Sequence, residues 1–273
     1  MKITRAMELI ASSRIVRSQQ RVTANQPYSV QMQAMIRNLV GAGGRVSHPL
    51  LERRPLQTAG ILVVASDRGL AGAYNANVLR LAESGLDRHR AAAVECRVYV
   101  VGRRAQSFLR FRGYPAARAF VGITDHPTYT AARGIAGSLV ADYSSGVVDS
   151  VEVVTTRYRS ALTQVAAMEQ LLPVPAPESD EDGAPQFGYS YEPSAEEMLE
   201  QLLPHYVEAV VFGLLLEASA SEYAARRRAM KAATENAEEL TRVLTRQANQ
   251  ARQSEITTEI SEIVGGAEAL TRG

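Results

Sequence analysis

The chain has a single cysteine and no tryptophan, and only 6% of its residues are aromatic. One thiol cannot form an internal disulfide framework, and Cys96, set in an apolar run, reads as a core residue. His48, His89, His126 and His205 are scattered without zinc-ligand spacing. No Gly-Lys pair occurs, which excludes the GxxxxGK[ST] phosphate loop, and SDRGLAGAYN (66–75) does not fit GxGxxG either. A nucleophile elbow and a spaced His/Asp/Glu set are also missing. These absences predict no catalytic residue, no cofactor and no metal. No run approaches about 20 uninterrupted apolar residues, and the N-terminus lacks a signal-peptide core. The expectation is a soluble chain on the cytoplasmic side.

Charge of one sign is missing locally rather than overall. The net charge is +1, so no general attraction to nucleic acid or to an anionic membrane is expected. Between Arg159 and Arg226 there is no Lys or Arg, against twelve Asp or Glu. The N-terminal segment is the reverse, with Lys2, Arg5, Arg14, Arg17, Arg21 and Arg37 against Glu8 alone. Such a split suggests separate surfaces for separate partners, although an acidic segment is equally readable as a solvated face. The Arg226-Arg227-Arg228 run has Glu217 and Glu222 just upstream and no stacking aromatics, which argues against nucleic acid.

Periodicity divides the chain. Residues 1–45 read as a helix on the stripe Ile3, Met7, Ala11, Ile15 and Val22, continued by Tyr28, Met32, Met35 and Leu39 past an expected kink or break at Pro27. GAGGRVSHP ends it. Residues 55–172 alternate strands and helices. GILVVAS (60–66), CRVYVVG (96–102), ARAFVGI and VDSVEVVTTRY (148–158) read as strands. The segment after VDSVEVVTTRY is expected to be a helix reaching Leu172. This is the pattern of an α/β domain, Rossmann-like, with a mainly parallel sheet. Residues 173–194 form an acidic, proline-rich loop. At the start of the sheet domain, Asp67, Arg68 and Gly69 read as a tight structural turn rather than a phosphate site.

Residues 195–273 are the unusual part. After Pro204 only Gly213 interrupts a helical pattern of some sixty residues, a length of roughly 90 Å at 1.5 Å per residue. A compact globule of this chain length has a radius of gyration of only about 19 Å. The helix must therefore project. Leu216, Tyr223, Met230, Ala237, Leu244 and Ala251 recur every seven residues, with Ala220, Ala233, Leu240 and Ala248 between them. That seam needs a partner, and the N-terminal helix is the nearest candidate. The expected architecture is a long antiparallel coiled coil of the two terminal helices plus a central α/β domain.

KITRAMELIASSRIVRSQQ, SDRGLAGAYN, EYAARRRAMKAATENAEEL and NQARQSEITTEISEIVGGAEAL together closely resemble the gamma subunits of F-type ATP synthases. The resemblance spans both ends and the first strand–turn of the middle domain, and the C-terminal segment is the most specific. It implies a non-catalytic rotor stalk whose terminal helices insert into a ring of three alpha and three beta subunits, one copy per ring. The α/β domain would sit at the foot, against the epsilon subunit and the Fo c-ring, peripheral to the cytoplasmic face of the plasma membrane. Ring-facing positions implied by the resemblance are Met7, Arg14, Arg226, Arg252, Gln253, Thr257, Glu259, Glu262 and Ile263. Arg14, Arg17 and Arg21 would suit acidic lever segments of beta. Ile256, Ile260, Ile263 and Val264 would end in an apolar bearing. Family members usually carry further residues before the KIT motif, where this chain has Met1. Ala71 stands where many carry Cys, and lone Cys96 rules out the two-cysteine switch of the chloroplast form. Of the 30 basic residues 28 are Arg, a bias of GC-rich bacterial genomes.

Two other classes bear on the same residues. A non-rotary coiled-coil scaffold with an α/β head would be a free monomer or homodimer without effect on an ATPase. A small-molecule enzyme would bind its ligand near Asp67 and Arg68.

Overall fold

The computed structural model describes residues 2–41, 48–175 and 195–271. The GAGG turn and most of the acidic loop lie outside the described residues. In chain order the elements are α1 (Lys2–Gly41), a 3-10 turn (Pro49–Leu51), β1 (Thr58–Val64), α2 (Tyr74–Ala91), β2 (Glu95–Val101), α3 (Arg103–Phe111), β3 (Arg118–Phe120), α4 (Tyr129–Ser144), β4 (Ser150–Tyr158), β5 (Gln164–Leu172) and α5 (Ala195–Thr271).

The continuous apolar run of β1 suits a central strand covered on both faces. It lies at the middle of a sheet ordered β3-β2-β1-β4-β5, in which the first four strands are mutually parallel. One face, through Leu62, Tyr99 and Val153, packs on α4 and the first part of α5, including Ile135, Leu139, Leu203 and Val207. The other, through Ile61, Val98 and Val100, packs on α2 and α3 at Val78, Leu86 and Leu109. Gly102 follows β2 with φ +91, and a Cβ there would lie 2.2 Å from Ala65 O, so only glycine fits between β1 and α3.

The segment Gln164–Leu172 is a strand, not the expected helix. It pairs antiparallel with β4 from Tyr158↔Gln164 to Val151↔Leu172. Its Ala, Met, Glu and Gln residues favour helix locally. The free edge of β4, reached through a turn in which Arg159 N and Ser160 N donate to Thr163 O, outweighs that preference.

Neither proline breaks its helix: α1 continues through Pro27, and α5 begins at Ala195, ahead of Pro204. At 1.5 Å per residue the 77 residues of α5 span about 115 Å. Its most apolar 18-residue window would be long enough to cross a membrane by composition, but half of it is buried inside the protein. α1 and α5 run antiparallel. Thr4 meets Thr234 at 2.8 Å, Arg14 meets Tyr223 at 2.8 Å, and Asn25 lies against Gly213. As the α1 partner climbs from 4 to 25, the α5 partner falls from 234 to 213. A Cβ at Gly213 would sit 3.1 Å from Asn25 Nδ2, so this glycine lets the two backbones close up. The α1 face buried here holds Ala11, Ile15, Met32, Ile36 and Leu39, whereas Ile3, Tyr28 and Met35 point outward. Steps of four residues drift around a helix of 3.6 residues per turn, so the real stripe alternates threes and fours.

Candidate functional site

Two regions of α5 set this molecule apart from an ordinary α/β domain: a polar collar where the helix leaves the sheet, and a bare tip. At the collar, Arg226 Nη2 donates to Glu222 Oε1 at 2.5 Å and to Gly69 O at 3.3 Å. Its guanidinium lies 5.6 Å from the centre of the Tyr223 ring, and Arg14 approaches the same ring at 5.6 Å. The Tyr223 hydroxyl accepts from Arg14 Nη1 and donates to Asp125 O at 3.1 Å. One turn earlier, Glu217 uses both carboxylate oxygens, accepting from Arg157 Nη1 at 2.9 Å and Tyr158 N at 3.0 Å. Arg157 is shared with Glu169 of β5 through its Nε at 2.7 Å. On the next face, Arg228 donates to Ala161 O at 2.8 Å and to Gln164 Oε1 in the β4–β5 turn.

The turn after β1 completes the collar. Asp67 accepts from Gly122 N (2.9 Å), Thr124 N (3.2 Å), the Thr124 hydroxyl (3.0 Å) and Arg103 N, the first residue of α3 (3.2 Å). Burial works against its charge, but these donors outweigh burial and hold the carboxyl below its ordinary range. Arg68 pairs with Asp125 at 3.2 Å, and Leu70 is held at φ 62. Glu222 is the opposite case. At 1% exposed, burial pushes it up to about 7, with Arg226 only partly offsetting the loss of water. The hydrogen bond to Tyr223, and then its charge, raise Arg14. The bond to Glu169 leads the rise at Arg157.

Above the collar the seam is covered only as far as α1 reaches. Leu216, Tyr223 and Met230 are buried, but Leu240 and Leu244 are 58% and 53% exposed. Arg5 and Glu238, 4.0 Å apart, form the highest ion pair between the two helices among the described residues. Past Glu238, polar contacts such as Arg242–Glu239 and those of the Thr257, Thr258 and Ser261 hydroxyls run along the helix itself. Every residue from 244 to 267 is exposed. On a helix of 3.6 residues per turn, Ile256, Ile260, Ile263 and Val264 gather on one side, nearly opposite Leu240 and Leu244. Ile256 lies 18 residues, five full turns, beyond Glu238, so the stripe sits on much the same side of α5 as Thr234 and Glu238, the residues that face α1.

The residues singled out from the sequence fall into these two regions. Arg226 and the Asp67-Arg68-Gly69 turn, expected separately, meet at the collar, with Arg14 beside them. Met7 is half-buried on α1. Arg252, Gln253, Thr257, Glu259, Glu262 and Ile263 are all exposed at the tip. Arg252 and Gln253 lead toward the apolar stripe from the collar side, Thr257 and Glu259 border it, and Glu262 lies further round. Of the three arginines suited to acidic lever segments of beta, Arg14 bonds the Tyr223 hydroxyl and Arg21 donates to Pro127 O within the chain. Cys96 is half-buried, its thiol pushed up chiefly by burial. Sequence reasoning used Glu217 and Glu222 only as counter-charges and passed over Arg157. The signal was present: Glu222 and Arg226 are four apart on a seam of alanines, where an unpaired charge is costly. Among the described residues no group of three or more His, Cys, Asp or Glu is placed to hold a metal.

A family model described as ATP synthase matches residues 1–270. The ATP synthase gamma chain of Acidothermus cellulolyticus is 48% identical over 98% of this chain and 92% of its own length. That of Parafrankia sp. is 46% identical over 100% of this chain and 93% of its own. That of Mycobacterium tuberculosis is 44% identical over 98% of this chain and 92% of its own. Among solved structures, a chain of the Tetrahymena thermophila mitochondrial ATP synthase central stalk/c-ring superposes with TM-score 0.67 at 22% identity, covering 85% of this chain and 99% of that one. One from Euglena gracilis mitochondrial ATP synthase does so at 0.56 and 16% identity, covering 97% and 95%. These two likenesses concern the fold.

Proposed function

The chain belongs to the ATP synthase gamma-chain family, and from that premise we infer that it is the central rotor stalk of a rotary ATP synthase. It is a non-catalytic subunit that couples rotation of a membrane ring to conformational change at catalytic sites on other subunits. The observation that carries this reading is the bare length of α5. From Glu238 to Thr271 the helix runs on for about 50 Å at 1.5 Å per residue, with an exposed apolar stripe at Ile256, Ile260, Ile263 and Val264 beyond the end of α1. A single exposed helix is marginal in water, and its stability comes from packing against something else. A ring closing around it supplies that packing.

The finer assembly is part of the same proposal. One copy stands in a ring of three alpha and three beta subunits, with the tip in an apolar bearing and the collar facing the mouth of the ring. The α/β domain, at the other end, meets the c-ring and the epsilon subunit, which places the chain at the cytoplasmic face of the plasma membrane. The domain limits at 1–45, 55–172, 173–194 and 195–273 belong to this reading. A shaft that is not three-fold symmetric presents a different face to each of three identical beta subunits. Each then settles in the nucleotide state that its contacts favour, and rotation exchanges those states in turn. Inverting one two-state equilibrium from 1:99 to 99:1 takes about 5.5 kcal/mol of differential contact, which a few well-packed side chains supply.

Arg252→Ala with Gln253→Ala tests the assignment at the tip. In membranes carrying the assembled enzyme, ATP-driven proton pumping should fall relative to ATP hydrolysis while the chain stays folded, because both side chains are exposed. Unchanged pumping would remove these residues from the coupling path. Failure of the wild-type chain to co-elute with alpha and beta subunits would remove the rotor reading altogether.

A further inference from the structure

Apolar packing resists separation of two elements but slides, whereas a hydrogen bond fixes direction as well as distance. α5 meets the sheet domain mainly through apolar contacts up to Ala218, including Leu199, Leu203, Val207, Val211 and Leu214. Over the next turns the character changes. Leaving aside a 3.5 Å contact of the Tyr223 hydroxyl with the Asp125 carboxylate, the helix makes six polar bonds between Glu217 and Arg228 to four separate pieces of the sheet domain among the described residues. Two join Glu217 to Arg157 and Tyr158 N on β4. One joins Tyr223 to Asp125 O, before α4, and one joins Arg226 to Gly69 O, after β1. The last two join Arg228 to Ala161 O and Gln164 at the β4–β5 turn. The anchors lie on different sides of the helix, and beyond Ala229, which faces Gly72, its contacts among the described residues are with α1. Arg157 is held from behind by Glu169, so its position on β4 does not depend on α5 alone.

Resting on the rotor reading above, we propose that Glu217, Tyr223, Arg226 and Arg228, with Arg157 opposite them, form a polar clamp through which torque passes between the sheet domain and the shaft. They are positioning residues: they touch neither nucleotide nor proton path, and they fix the angle at which the shaft leaves the foot. A clamp with anchors around the helix resists twist in both senses, as a stalk serving synthesis and hydrolysis requires. Loss of an anchor lets the tip lag behind the foot, so part of each step is spent in twisting the joint.

The test uses the assembled ring and full chain, fixed through the beta subunits, with a bead on the sheet domain and rotation paused by nucleotide. The angular variance of the bead reads the compliance between ring and foot. If six bonds share the load equally, Glu217→Ala, which removes two, raises the joint's compliance by roughly half, and Arg228→Ala does the same. The double variant raises it about threefold on the same additive basis. Arg228 is exposed, so its variant folds even where Glu217→Ala does not. Val154→Ala, a cavity in the core below β4, is the control: it lowers the melting temperature and leaves the variance at the wild-type value. Wild-type variance in Arg228→Ala and the double variant, or an equal rise in Val154→Ala, overturns the clamp. A wild-type chain that never enters a ring overturns the rotor reading instead.

Discussion

Glu222 offers a direct measure of how strongly the collar excludes water. Its carboxyl is 1% exposed and pushed up to about 7 from its ordinary value of 4.5, first by burial, with Arg226 pulling the other way. A raised folded-state value means that the folded chain holds a proton more tightly than the unfolded chain. The stabilising contribution is thus complete below pH 4.5 and is lost as pH rises to 7, after which the ionised form carries the full cost. At 1.36 kcal/mol per pH unit, the loss is on the order of 3 kcal/mol. Glu222→Gln keeps the shape and cannot ionise. Its own cost, including a weaker partner for the nearly buried Arg226, is independent of pH across this window. The informative quantity is therefore the difference in unfolding free energy between wild type and variant, measured by urea titration from pH 4.5 to 8, in which the other titrations cancel. The wild type should lose on the order of 3 kcal/mol relative to the variant between these limits. A difference that stays flat, or a wild type that gains on the variant as pH rises, would refute the reasoning and show that Arg226 holds the carboxylate ionised.

Two further outcomes follow from the same geometry. Asp67, held below its ordinary range by four donors against the pull of burial, stabilises the chain above the unfolded carboxylate value and loses that effect as pH falls through its folded value. Asp67→Ala should cost about 1.5–3 kcal/mol in urea unfolding at pH 7 and much less in acid; an equal cost at both would contradict the assignment. In the free chain, hydrogen exchange should be fast from 244 to 267 and slow around Leu203 and Val207, with the tip protected only after the ring is added. A tip as protected as the core in the free chain would mean that another partner, or a second copy, already covers it.

Much of this molecule is legible from local pattern. The β1 run is apolar at consecutive positions and so must be buried on both faces, and Val98 to Val101 of β2 repeat the case. The heptad from Leu216 to Ala251 runs too long for a globule, which forces a projecting helix whatever its partner. The residues of the collar and tip were also visible as types: an arginine run, a tight Asp-Arg-Gly turn, and Arg-Gln ahead of a polar helix. Pairing across the chain was not. Gln164–Leu172 has helical composition and became a strand because the edge of β4 was free to bond it, a fact about space rather than spacing. Pro27 and Pro204 carry the local signal to break, yet both helices continue, because long packed flanks outweigh the loss of one bond each. Glu217 found Arg157 sixty residues away, and Glu222 acquired its altered titration from burial that no local pattern records. The sequence by itself determined which segments are apolar, that the C-terminal helix must project, and which family the chain resembles. Only the tertiary structure decided which charges meet, which are stripped of water, and where the shaft is tied to its foot, because these depend on segments distant in the chain arriving at the same place.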